Sequence, residues 1–356
     1  MPAVSTIITR MGDAATVEMT RDELHRDIVE GSEAAAAKGK VPVLEEREVE
    51  YLLEMFSSPS RIWGVERGHE AILTKDGSTN TIYSSRLSSG VCAPLGREAA
   101  VRLYETAFAF DTMEVGHTDY SVKPAKFLAS LEAEHMELLQ QITILPLFYG
   151  FMPNLGLYYR PDGPFPNPSD LLPKGRIAEA RAAQEEALVS CREDVVWLSK
   201  QMIDVAADGI NYDTVASTGD ADFLATLQAC EEITSTTELP VEIGMAAEMV
   251  LGFHGELEYD GVRLAGLWPH QQLKLVEKAG ASIFGPVVNT NTRKSCAWNV
   301  ARAVTFVKAV TAEATIPIHP NVGLGVGGVP MFEVAPADMV SRASAAMIEI
   351  GKADGL

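Results

Sequence analysis

From about residue 111 onward the chain repeats one unit: a short apolar, β-rich run, a polar or glycine-containing loop, an amphipathic helix, and a Gly-bearing turn into the next run. This pattern predicts strands at 112–117, 142–149, 209–214, 239–244, 281–288 and 316–321, with helices between them. The clearest helix is predicted over 295–313, where Trp298, Ala301, Val304, Val307 and Val310 recur at helical spacing. Turns such as Asp208-Gly209, Ala279-Gly280 and Asp354-Gly355 put a glycine at the helix end, just before the next strand. The first hundred residues differ. Charged helical stretches alternate there with irregular ones, and a Lys75-Asp76-Gly77-Ser78 turn between apolar residues signals a short hairpin or loop.

Strands that are nearly all apolar imply a parallel sheet covered by helices. An open doubly wound sheet and a closed (β/α)8 barrel of the TIM type both fit, and the lack of a GxGxxG fingerprint after the first strand favours the barrel. The expected organisation is a helical N-terminal extension over 1–110, packed on a partial (β/α) barrel over 111–356. Six of eight strands are accounted for. The last predicted helix, 336–350, runs into Lys-Ala-Asp-Gly and then Leu356, where the repeat calls for another strand, so the barrel is expected to be incomplete in this chain.

Composition narrows the function classes. A chain of 356 residues, 47% hydrophobic and 22% charged, has the make-up of a globular protein. Its 49 acidic and 29 basic side chains leave a net charge of −20, which disfavours nucleic acid and anionic membranes and suits a small cation. No apolar run approaches the roughly 20 residues of a bilayer span, and the N-terminus lacks a signal-peptide pattern, so a cytoplasmic protein is expected. Cys92, Cys191, Cys230 and Cys296 are far apart and read as buried free thiols, not as a disulfide framework or a zinc site. No bound metal is expected. A homo-oligomer is the expected assembly.

In a barrel, the side chains that act on substrate sit at the C-terminal ends of the strands and in the loops that follow. That rule selects His117 and Asp119, Tyr149 and Asn154, Asn211 and Asp213, Glu242, Asn289 and Asn291, and His319 and Asn321. Asp213 and Glu242 interrupt apolar strands, where a carboxylate is costly unless paired or used, so both are candidates for proton transfer or for holding an ammonium group. A structural carboxylate bonded to loop amides is the competing reading. His319, fixed between Pro317 and Pro320, reads equally as a general acid or base and as a hydrogen-bonded core histidine. The predicted catalytic set is Glu242, Asp213 and His319, with Asn289, Tyr149 and Asn211 as substrate contacts. Thr290, Asn291 or Thr292 also read simply as N-caps of the helix that follows them. The glycine-rich loop at 323–330 has no phosphate-loop spacing and is expected to be a flexible lid or a flat platform for a planar ligand. His254 and His270 are expected at the surface.

Several long segments are more specific than any of these positions. DTMEVGHTDYSVKP, TILPLFYGFMPNLGLYYRPDGPFPNPSDL, ADGINYDT, YDGVRLAGLWPHQQLKLVEKAGASIFGPVVNTNTRKSCAWNVARAVTF and GLGVGGVPM resemble the dimethylamine methyltransferases of methylotrophic methanogens and some bacteria over nearly the whole chain. The resemblance implies a barrel enzyme of methylamine catabolism that moves a methyl group from dimethylamine to the Co(I) centre of a cognate corrinoid protein, leaving monomethylamine. It also implies that the corrinoid is carried by that partner and that a pyrrolysine, read from an amber codon, follows Leu356. Two other readings stay open: a pyrrolysine-free barrel enzyme using Glu242 and His319 as acid and base, and a non-catalytic fragment.

Overall fold

In the computed structural model the described residues are 6–64, 81–83, 92–94, 148–204, 207–252, 255–290, 293–331 and 335–356. Strand β1 (Thr6–Arg10) pairs antiparallel with β2 (Thr16–Thr20). Thr20 then starts α1 (Arg21–Gly39): its hydroxyl accepts the Glu23 N–H while the Glu23 carboxylate accepts the Thr20 N–H, two otherwise orphaned donors satisfied at once. Helix α2 (Glu46–Ser57) follows, then a short antiparallel pair of β3 (Thr81–Tyr83) and β4 (Cys92–Pro94).

From residue 148 on, strands and helices follow one another among the described residues. The chain runs through β5 (Phe148–Phe151), α3 (Ile177–Asp204), β6 (Gly209–Val215), α4 (Asp220–Thr236) and β7 (Val241–Met245). A small β8–β9 hairpin (Glu258–Tyr259, Val262–Arg263) comes next. It leads to α5 (Pro269–Lys278), β10 (Ile283–Gly285), α6 (Cys296–Glu313) and α7 (Ala337–Glu349).

Strands β5, β6, β7 and β10 form one parallel sheet in the order β10-β7-β6-β5. Phe284 continues it through a parallel bridge to Ile318, whose carbonyl accepts the N–H of Asp354 at 3.0 Å and of Gly355 at 3.4 Å. Neighbours in space are therefore neighbours in sequence, with no reversal of order among the described strands. The described strands do not close into a ring.

Two cores hold this arrangement. Tyr212, Ile243, Phe284 and Ile318 project from one face of the sheet into a cluster with Phe223 and Leu227 of α4 and Val276 of α5, all fully buried. A second core joins Leu24 and Ile28 of α1 and Leu52 and Met55 of α2 to Val300 and Phe306 of α6 and Ala343 of α7. Close approach of α1 to α6 depends on Gly31, where a Cβ would lie 2.2 Å from the Trp298 carbonyl oxygen.

Strands β6 and β7 fall within two residues of the predicted 209–214 and 239–244. The run 281–288 shortens to three residues because Pro286 lacks the N–H that would continue the ladder, and 316–321, broken by Pro317 and Pro320, contributes a single bridge. Of 142–149 only the last two residues fall in β5. The rest of it, the run 112–117 and the Lys75–Ser78 turn lie outside the described residues. The helix predicted at 295–313 is present, but its N-cap is Ser295, which accepts the Trp298 N–H, in place of Thr290. Cys191, Cys230 and Cys296 are buried free thiols.

Candidate functional site

Alternation along β6 and β7 sends their polar side chains to the sheet face opposite the Tyr212 core. The register makes this a row: Asn211 stands beside Glu242, and Glu242 beside Ile283. Gly244 and Gly285, also register partners, lie one row further toward the C-terminal ends. His319 reaches the same face from beyond β10, with its Nδ1 3.8 Å from Glu242 Oε1. Its ring also lies against Gly355, where a Cβ would sit 2.7 Å from Nε2. Burial lowers the His319 pKa below its ordinary value, an effect partly offset by the Asp354 carboxylate, so the ring is a neutral proton acceptor at pH 7. With a side chain 18% exposed in Glu242 and 33% in His319, the pair borders accessible space.

Asn211 and Asp213 are buried deeper. The Asn211 side-chain carbonyl has no hydrogen-bond partner, and the Asp213 Oδ1 accepts the Thr214 N–H at 2.7 Å. Both oxygens flank Gly244, within 3.5 Å of where its Cβ would be. Directly after Asp213 the backbone is strained: Thr214 has φ 54° and Ala216 φ 64°, a left-handed conformation that is unfavourable for a β-branched residue. A bulge between Tyr212 and Val215 accompanies it, and strain of this kind concentrates at functional sites.

The loop leads into α4, whose first turn buries Asp220 and Asp222. Asp222 accepts the Thr218 N–H at 3.1 Å and the Ser217 hydroxyl, and burial pushes its pKa up to about 7. Burial likewise pushes Asp220 up to about 6.

A clamp ties the loop after β7 to the loop after β10. Glu248 forms a bidentate, buried pair with Arg302, accepts the Asn289 N–H at 3.0 Å, and donates its own N–H to Asn289 Oδ1 at 3.2 Å. The Asn289 amide nitrogen donates to the Ala246 carbonyl. Asn289 thus has both amide atoms engaged in the scaffold, apart from the row of Asn211 and Glu242.

The other predicted positions sort as follows. Backbone register sets Gly150 beside Asn211 and Tyr149 beside Ile210. Asn154 caps a 3-10 turn by accepting the Gly156 N–H. His117, Asp119, His254, Asn291 and Thr292 lie outside the described residues. His270, expected at the surface, is instead buried in the first turn of α5, where burial lowers its pKa. The glycine-rich loop is a packed element in place of a lid: Gly325, Gly327 and Gly328 all adopt positive φ, and the Gly328 N–H donates to Thr290 Oγ1. At Gly328 a Cβ would meet the Val300 backbone nitrogen at 2.6 Å, so the glycine is a packing requirement against α6.

Gly244, Asp220, Asp222, Glu248 and Arg302 were not singled out by the sequence. Asp220-Ala-Asp222 carried a legible signal as acids at a helix start, whereas Glu248 and Arg302 are 54 residues apart and carried none. Among the described residues no group of His, Cys, Asp and Glu is placed to hold a metal ion, and no helix is long and apolar enough to cross a membrane.

The arrangement offers a buried amide carbonyl, carboxylates and a neutral imidazole on one face of a sheet, a set suited to holding a small cation and accepting its proton. No solved structure matches this chain. A family model described as dimethylamine methyltransferase matches residues 5–356, and the chain belongs to that family.

Proposed function

We propose that the protein transfers a methyl group from dimethylamine to the Co(I) centre of a corrinoid carried by a cognate partner protein, leaving monomethylamine. The observation that carries the reading is the Glu242–His319 contact at 3.8 Å, set beside Asn211 and Asp213 on one face of the sheet. Dimethylamine is protonated at neutral pH. An acidic face attracts that cation, and Glu242 with the neutral His319 ring is suited to take its proton, so that the nitrogen lone pair becomes available.

In the transfer, the bond between nitrogen and the departing methyl breaks with its electron pair left on nitrogen, which takes back the proton held by Glu242 and His319 and so leaves as neutral monomethylamine. The Co(I) pair forms the new bond to carbon, and cobalt is formally oxidised to Co(III). Pyrrolysine, which the family resemblance implies after Leu356, would supply an electrophilic imine for the amine, and His319, packed against Gly355, with Glu242 would be its neighbours. The sequential order of the parallel strands supports a (β/α) barrel as the complete architecture, in which this polar face lines the interior mouth.

The test mixes the purified protein with Co(I) corrinoid protein and each of mono-, di- and trimethylamine, and follows cobalt methylation by absorbance. Methylation with dimethylamine and release of monomethylamine are expected. Equal rates with all three amines, or none with dimethylamine, would overturn the reading.

A further inference from the structure

Most positions on the polar face carry a side chain that fills its own space. Gly244 does not. A Cβ built there lies 3.4 Å from Asp213 Oδ1, 3.5 Å from Asn211 Oδ1 and 3.9 Å from the Asp213 Cα, with nothing closer. The backbone at Gly244 is not in the left-handed region, so glycine is not needed for conformation. Nor is it needed for close packing, unlike Gly31 or Gly328, where a Cβ would collide with backbone. What glycine leaves at 244 is bare backbone beside two oxygens, where an added Cβ would meet only ordinary contacts. One of them, the Asn211 carbonyl, is buried without a partner, in a residue only 8% exposed.

A methyl group bound to a cationic nitrogen fits that space chemically. Its hydrogens carry part of the positive charge, and a methyl resting on the bare Gly244 Cα at a contact of about 3.5–4.0 Å lies outward of where a Cβ would be, beside the two oxygens, where C–H···O contacts can form. We infer that Gly244, with Asn211 and Asp213, seats the methyl group that remains on nitrogen, and so determines which methylamine the enzyme uses. The inference rests on the proposed reading of this face as the amine site. Dimethylammonium places one methyl in the seat and presents the other for transfer. Monomethylammonium places its only methyl there and has none left to give, so turnover stops after one transfer. Trimethylammonium has a methyl where dimethylammonium has its second N–H.

The test is binding of dimethylammonium, methylammonium and ammonium chlorides to the purified protein and to Gly244→Ala, by calorimetry, alongside methyl transfer. Because the added Cβ meets its neighbours at ordinary contact distance, thermal unfolding of Gly244→Ala should match the parent. One methyl in a fitted site is worth about 10- to 200-fold. Gly244→Ala should therefore weaken dimethylammonium by that factor, abolish the parent's preference for methylammonium over ammonium, and shift turnover toward monomethylamine. Should Gly244→Ala fail to fold, Asn211→Leu decides: loss of the carbonyl should weaken dimethylammonium at least about fivefold. A parent that transfers methyl groups while Gly244→Ala, or in its place Asn211→Leu, binds dimethylammonium within twofold of the parent overturns the seat alone. A parent that neither binds dimethylammonium nor methylates cobalt overturns the amine site and the seat together.

Discussion

The two faces of the parallel sheet come from the same strands and the same register, yet they are built on opposite rules. On one, Ile210, Tyr212, Ile243, Phe284 and Ile318 are fully buried against helices. On the other, Asn211, Asp213, Glu242 and His319 surround two glycines. Strands covered on both faces are ordinarily apolar throughout. A strand such as Gly-Ile-Asn-Tyr-Asp-Thr-Val therefore assigns stability to one side and chemistry to the other. The backbone shares that division: it is regular through Tyr212, and left-handed at Thr214 and Ala216 where the polar face ends.

If the division is real, substitutions on the two faces should separate activity from stability. The largest effect is expected from Glu242→Gln, which keeps the shape of the side chain and removes its charge and basicity. Corrinoid methylation should fall about 10²- to 10⁴-fold, the usual range for a general acid or base, with little change in melting temperature. Unchanged kinetics would remove Glu242 from the chemistry. Its counterpart is Phe284→Ala on the core face, one position from the Glu242 row. Deleting a fully buried aromatic ring should cost about 3–5 kcal/mol in urea unfolding. A midpoint equal to the parent's would mean that this face is not a core.

The core face was also the more legible in the sequence. Apolar runs marked β6 and β7 almost to the residue, because a short apolar run is a local property of the chain. Where prolines remove donors, at Pro286, Pro317 and Pro320, the same runs gave less strand than their hydropathy suggests. The packing of α1 on α6 was not legible, since it joins Gly31 to Trp298 and Asp27 to Ser295 across more than 260 residues. On the polar face, Asn211, Asp213, Glu242 and His319 were visible as polar interruptions of apolar runs. Gly244 was not, because a glycine in a strand is compatible with bulges, bends and close approaches alike, and only the placed neighbours show that none of these applies. An amide after a strand suits a substrate contact, and the Asn289 amide is bonded to Glu248 and Ala246.

A smaller effect sharpens the boundary between the faces, at the start of α4. Burial raises Asp222 from 3.8 to about 7 and Asp220 to about 6. The folded protein therefore holds protons that the unfolded chain releases near pH 4, and this contribution to stability is complete below that value and lost as pH rises through about 7. Asp222→Asn stays neutral throughout and keeps a carbonyl for the Thr218 N–H and Ser217 hydroxyl. Because Asp220 still titrates, it should remove only the Asp222 part of the slope, most visibly between pH 6 and 7, and raise stability at pH 8 by about 1–3 kcal/mol. The parent slope persisting in Asp222→Asn would locate the proton uptake elsewhere.

The smallest effect tests whether the strain after Asp213 serves the polar face. A left-handed φ costs an L-residue about 1–2 kcal/mol, and Thr214 is β-branched, yet its N–H holds Asp213 Oδ1 at 2.7 Å and its hydroxyl donates to the Asp213 carbonyl at 2.7 Å. Thr214→Gly relieves the strain but loosens the unfolded chain by about 0.5–1 kcal/mol and deletes the hydroxyl contact. The net change in stability should lie within about 1 kcal/mol. If the left-handed turn exists to aim Asp213 at the space over Gly244, the KM for dimethylamine should rise severalfold while unfolding barely moves. A variant with unchanged KM and clearly increased stability would mean that the strain has no part in orienting Asp213, and that the polar face begins only at Asn211 and Glu242.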